Sequence, residues 1–225
     1  MNLIFGVNSS YPSDLRLTNG FYLHDWVTRK RSIPSFWGRH IFGNGKISRQ
    51  EISFLHDRNC KIAPMYNEIT EKDVISSDGM TNALKALIAA REIGIPAYAG
   101  KVIFAVIEPD WQVWDKWIEG FAKVIFNNGY IPGFMANTDS SQNFSFDRSY
   151  GRFYNSFRNS RGFESLIWAT EPKTDCPECW KPFAPSVIQP NNIAIWQNGL
   201  NSITFREINA SENIINHKNI LDHLW

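Results

Sequence analysis

The chain has 225 residues, enough to bury one sizeable core. Its 23 basic and 22 acidic residues nearly cancel, which gives no footprint for nucleic acid or an anionic membrane surface. No window approaches a membrane span, and Met1-Asn-Leu-Ile-Phe-Gly6 lacks the basic and apolar segments of an export signal, so a cytoplasmic location is expected unless another route releases the protein.

In chain order, Leu3–Val7 reads as a first short strand that ends at Asn8-Ser9-Ser10. Phe36–Phe42 reads as a second, interrupted by Gly38-Arg39-His40. Ser48-Arg-Gln-Glu51 is a capping-box pattern and opens a helix to about Arg58. Ile62–Tyr66 is a third strand, ending at Asn67-Glu68. Met80, Ala83, Leu84, Leu87, Ile88 and Ala90 follow helical spacing between Gly79 and Gly94.

Lys101–Trp111 is the most informative stretch. Six apolar residues, Val102 to Ile107, suit a strand buried on both faces and run directly into Glu108-Pro109-Asp110-Trp111. Val113, Trp114, Trp117, Ile118, Phe121, Val124 and Ile125 then form an amphipathic helix. Tyr130–Ala136 and Ser165–Ala169 are strands five and six. Asn192–Gln197 and Ser202–Ile208 are expected to supply the last two, before a final helix near Ser211–Leu224. The stretches 137–159 and 170–189 read as loops.

Eight short strands, most separated by a helix, predict a single α/β domain over residues 1–225, a (β/α)8 barrel of the TIM type. In such a barrel the site lies at the C-terminal strand ends. Glu108 and Asp110 leave one face of an extended strand end, and with Glu68 they are the candidate catalytic carboxyls; burial is expected to raise the Glu108 pKa. Candidate substrate-binding residues at the same end are Asn8, Arg39, Tyr66, Asn67, Trp111, Asn137, Trp168, Glu171, Trp196, Gln197 and Glu207. Carboxylates, amides and aromatic rings suit a neutral polyol, and the 9 Trp, 7 Tyr and 16 Phe supply ring faces. No glycine-rich phosphate loop follows any strand.

Structural readings stand beside these. Asp110 would cap a helix from Trp111, Glu108 would pair with Arg39, Trp168 and Trp196 would be core, and the lone histidines would be structural or exposed. Three cysteines include Cys176-Pro-Glu-Cys179, a loop with a local disulfide or, as the weaker reading, a redox or metal centre. With no second such pair and no nearby His pair, no metal and no cofactor are expected. Cys60 is expected to be a small buried hydrophobe.

Gly6-Val7-Asn8, Gly38-Arg39-His40, Ile62-Ala-Pro-Met-Tyr66-Asn67, Gly79 with its Ala-rich helix, Phe104-Ala-Val-Ile-Glu108, Gly129-Tyr130-Ile-Pro-Gly133 and Ile195-Trp196-Gln197 resemble, in order, segments of a known barrel. This is the glycoside-hydrolase-like domain of unknown function family 1906, itself similar to the family 25 glycoside hydrolases (muramidases). The resemblance implies a glycosidase-like barrel acting on β-linked glycan such as peptidoglycan, with carbohydrate or cell-wall glycan as partner. It also implies an Asp where this chain has Asn8, and Asp-x-Glu where it has Glu108-Pro109-Asp110. Two readings follow: a carboxylate acid/base hydrolase, or an inactive barrel that binds carbohydrate or a cell-envelope component.

Overall fold

The computed structural model describes residues 3–141, 146–157, 163–171 and 179–225. Eight strands close into a barrel in sequence order. They are β1 Ile4–Asn8, β2 Phe36–His40, β3 Lys61–Tyr66, β4 Val102–Val106, β5 Ile131–Ala136, β6 Leu166–Ala169, β7 Ile195–Phe205 and β8 Ile208–Ile215. Neighbours from β1 to β7 pair in parallel, whereas β8 runs antiparallel to both β7 and β1. The cause is the connection. Only Arg206 and Glu207 separate β7 from β8, and a parallel partner needs a crossover of a dozen or more residues. Arg206 takes φ 56° in that turn.

The helices are α1 Leu23–Lys30, α2 Arg49–His56, α3 Glu71–Ser76, α4 Met80–Ile93, α5 Asp115–Asn127, α6 Phe146–Phe157 and α7 Ile220–His223. Two expectations change. The segment expected as a final helix, Ser211–Leu224, begins inside β8 and is helical only over α7, and the eighth strand falls later than Ser202–Ile208, which is largely the outer half of β7. Ile208, Ala210, Glu212 and Ile214 alternate with Asn209, Ser211, Asn213 and Ile215, a period of two that packs each set on its own face. Secondly, 137–159 contains α6, whose Phe146, Tyr150 and Phe153 make a buried stripe at helical spacing.

Alternation along the strands divides the core in two. Phe36, Ala63, Met65, Val102, Phe104, Leu166, Trp168, Ile195 and Ile215 fill the barrel. Outward residues such as Trp37, Ile62, Ile103, Phe134 and Trp196 pack under the helices. Large inward rings need small residues opposite. A Cβ on Gly6 would lie 2.3 Å from Phe36, one on Gly133 2.5 Å from Phe104, and one on Gly38 2.6 Å from Trp168. On the outside, α4 lays Ala83, Ala86 and Ala90 against the barrel, and its C-cap Gly94 takes φ 93°.

The Ser48–Glu51 pattern forms only half of a capping box. Ser48 Oγ accepts from Glu51 N–H at 3.0 Å, but the Glu51 carboxylate turns inward to other partners. Both halves of the box occur instead at Thr70 and Asp73.

Candidate functional site

The C-terminal strand ends enclose a cavity of about 250 Å3, and every strand or its following loop contributes to the wall. Met65, Val106 and Met135 make an apolar base. Asn8, Ser9, Ser10, His40, Glu108, Thr170, Gln197, Asn201, Asn209 and Ser211 supply the polar wall. Leu200 also lines it.

On the β1/β8 side a buried relay sets the polarity. Trp168 Nε1 donates to Asn213 Oδ1 at 2.8 Å, and Asn213 Nδ2 donates to Asn8 Oδ1 at 2.7 Å and to Ser211 O at 3.0 Å. Asn213 is fully buried. Because its Oδ1 is engaged, Asn8 keeps its amide hydrogens for the cavity. Opposite, Gln197 Nε2 donates to Thr170 O at 3.4 Å. Thr170 Oγ1 is buried and has no hydrogen-bond partner among the described residues.

His40 is half-buried in the wall. Burial, reinforced by the neighbouring Arg39 charge, pushes its imidazole down to about 4, so it is neutral at physiological pH. Glu108 lies two residues beyond the end of β4 and is exposed, not buried as the apolar run suggests. The strand stops at Val106 and the chain turns through Pro109, with Trp111 N–H donating to Glu108 O at 3.2 Å. Glu108 is the only carboxylate in the cavity wall among the described residues.

Arg39 stands behind the wall. The guanidinium and the Glu51 carboxylate are 0% and 1% exposed and 2.8 Å apart. Arg39 Nη1 also donates to Ser9 O at 2.9 Å and Ser10 O at 3.0 Å, and Nη2 to Gly45 O at 3.0 Å. Glu51 Oε1 accepts from Ser13 N–H at 2.7 Å. Arg39 therefore points away from the cavity. Its acid is Glu51 rather than Glu108, and together they hold the loops after β1 and β2.

Asn8, Glu108 and Gln197 are thus the sequence candidates that the fold brings together. Asp110 is exposed outside the wall, and does not cap a helix, since α5 starts at Asp115 with Trp114 as N-cap. Glu68 is exposed beside Gly43, outside the wall. Tyr66 faces outward under α4, and burial pushes its phenol up to about 12. Asn67 and Trp111 are partly buried outside the wall. Asn137 Nδ2 donates to Pro109 O at 3.2 Å and so braces the Glu108 loop from behind. Trp168 lies inside the barrel below the mouth, and its ring is core. Trp196 faces outward, its Nε1 donating to Glu171 O at 2.7 Å. Glu207 is in the β7–β8 turn, exposed.

Glu171 is set beside the mouth rather than in its wall. Its carboxylate accepts from Thr138 N–H and, at 2.8 Å, from Thr138 Oγ1. Burial, against these hydrogen bonds, pushes its carboxyl up to about 6. Cys179 is disulfide-bonded, and Cys176 lies outside the described residues. Among the described residues no group of three or more His, Cys, Asp or Glu is placed to hold a metal. Cys60 is buried with a free thiol, which burial pushes up to about 12. No helix among the described residues is long and apolar enough to cross a membrane.

Sequence reasoning missed Ser211 and Asn213, because the final segment reads as a helix, and Asn201, because it falls between the two expected last strands; it left His40 as structural or exposed. The polar alternation Asn209, Ser211, Asn213 was the available signal.

Comparison with solved structures places this architecture. An uncharacterized protein of B. stearothermophilus is similar over 99% of this chain and 100% of its own, with 25% identity and a TM-score of 0.79. A Tat-secreted protein of Mycobacterium tuberculosis, solved in complex with L-tartrate, is 12% identical with a TM-score of 0.62 over 97% of this chain and 98% of its own. A family 25 lysozyme from Aspergillus fumigatus is 11% identical with a TM-score of 0.55, covering 96% of this chain and 95% of its own. The chain has a glycoside-hydrolase-like fold. No protein-family model matches it, and neither does any curated protein.

Proposed function

We propose that residues 1–225 form one glycoside-hydrolase-like domain whose barrel mouth binds carbohydrate without cleaving it. The observation that carries this reading is the wall itself: amides, hydroxyls and a neutral imidazole around an apolar base, with Glu108 the sole carboxylate among the described residues. Such groups match the alternating donors, acceptors and apolar faces of a sugar ring. Cell-wall glycan is the class we favour, since a solved structure of the same fold is a lysozyme and, among the described residues, the wall carries no Lys or Arg to hold a phosphate.

Hydrolysis with two carboxyls needs an acid and a partner separated by roughly 5–10 Å. Here Asn8 occupies the first strand end, and it cannot exchange a proton at neutral pH. Asp110 and Glu68 lie outside the wall.

A second reading keeps Glu108 as a general acid, and its place in the wall after β4 favours it. Among the described residues the other titratable group of the wall is His40, whose depressed pKa leaves it a weak base. Titration of the protein with soluble peptidoglycan fragments, alongside an assay for new reducing ends, tests the choice. Binding without release supports the first reading; release above the protein-free control, lost in Glu108→Gln, supports the second.

A further inference from the structure

The β7–β8 hairpin is longer than the barrel needs. β7 pairs with β6 only at Ile195 and Trp196, and then continues to Phe205 beyond the rim. Its pairing with β8 shifts register twice, between Trp196 and Gly199 and between Gly199 and Ile203. A bulge of this kind re-aims side chains, and here it carries Asn201 at φ 48°. The result is that Leu200 and Asn201 line the mouth from above the strand ends. Leu200 is 59% exposed there, an apolar side chain held over a polar cavity.

The arm is anchored. Trp26 Nε1 donates to Thr204 O at 3.0 Å, and the Trp26 and Phe205 rings meet edge to face with centroids 5.3 Å apart. Ser9 Oγ donates to Asn209 O at 2.6 Å. These contacts fix the hairpin to the β1–α1 side as a standing wall.

We infer that this hairpin makes the mouth a one-ended pocket for a terminal sugar ring, with Leu200 and Asn201 determining specificity for a chain end over the interior of a glycan strand. The inference rests on the carbohydrate reading of the mouth. Its second support is size. A cavity of about 250 Å3 falls below the roughly 300–1,000 Å3 that holds drug-sized ligands, and suits one ring. A strand crossing the mouth would need an exit on both sides, and the β7–β8–β1 side is occupied. Leu200 then covers the apolar face of the ring while Asn8 and Gln197 take its hydroxyls.

The test uses NMR titration of the full chain with β-1,4-linked tetrasaccharides of N-acetylglucosamine and of glucose. Each is prepared with free ends, with a bulky ether on the non-reducing end, and with a bulky aglycone on the reducing end. The expected result is perturbation of the Asn8, Gln197 and Leu200 amides by a free-ended sugar, and at least tenfold weaker binding when one particular end is blocked. Leu200→Gly and Asn201→Gly, at an exposed position and at a positive-φ position, should each narrow that gap. Equal affinity for the free and both blocked forms would overturn the one-ended pocket while leaving the carbohydrate reading intact. No perturbation of the mouth by any of the sugars would overturn both.

Discussion

Asn213, fully buried, donates a hydrogen bond of 2.7 Å to Asn8 across the base of the barrel mouth. The same amide accepts from Trp168, so one buried side chain joins the barrel core to the residue at the first strand end. The bond fixes the Asn8 side chain: its oxygen is committed to a donor, which leaves its amide hydrogens for other partners. Asn213→Leu is expected to leave Trp168 Nε1 and Asn8 Oδ1 without their partner and to lower stability by about 1–3 kcal/mol, chiefly from the cost of orphaning the buried Trp168 donor, since Asn8 is only half-buried. Urea denaturation measures it. An unchanged midpoint would show that the relay contributes nothing.

The Arg39–Glu51 pair makes a larger prediction. Removing one member of a buried pair leaves an uncompensated charge and costs about 3–5 kcal/mol. Arg39→Met should therefore destabilise by that amount and loosen Ser9 and Ser10, whose carbonyls it holds. Amide hydrogen exchange reports the loosening. Because the Glu51 charge carries much of the penalty, Arg39→Met with Glu51→Leu should recover a large part of the loss. A double variant no more stable than the single one would contradict this account.

Gly38 faces into the barrel, where a Cβ would lie 2.6 Å from Trp168, 2.7 Å from the Asn8 Cβ and 2.9 Å from the Met65 sulfur. Gly38→Ala is expected to overpack the base of the mouth at about 1–3 kcal/mol. Thermal unfolding measures the cost. The displaced Asn8 should weaken ligand binding as well.

Two groups beside the mouth give opposite pH dependences. The His40 imidazole is pushed down to about 4 from 6.5, so its contribution is complete above pH 6.5 and is lost as pH falls toward 4. The Glu171 carboxyl is pushed up to about 6 from 4.5, so its contribution is complete below pH 4.5 and is lost as pH rises through 6. Stability measured from pH 4 to 8 should show a shallower acid-side fall in His40→Asn, where the buried His24 still contributes, and a shallower neutral-side fall in Glu171→Gln. Profiles unchanged by either substitution would contradict the assigned environments.

The barrel was legible where burial is two-sided. Val102–Ile107, Tyr130–Ala136 and Ile62–Tyr66 carry apolar runs that only a covered strand needs, and the eight-stranded closure followed from counting them. It was less legible at the end of the chain. β8 alternates apolar residues with Asn and Ser because its inner face meets the mouth, and a polar inner face resembles the exposed side of a helix. The stripe of α6 was hidden among Ser, Asn and Asp.

Site residues followed the same division. Strand ends point to Asn8, Glu108 and Gln197, since strand order alone puts them at one end. Which way a side chain turns there depends on where pairing stops. β4 stops at Val106, so Glu108 emerges exposed. Arg39 lies on the outer face of β2, where Glu51 from α2 reaches it, a contact between elements that no local pattern reveals.

The central claim is that this mouth holds sugar and leaves the glycosidic bond intact. The most direct measurement is calorimetric titration with soluble peptidoglycan fragments, paired with reducing-end release from the same fragments by wild type and Glu108→Gln. The account predicts saturable binding by wild type and release by both proteins no faster than in the protein-free control. Release by wild type that disappears in Glu108→Gln would contradict it.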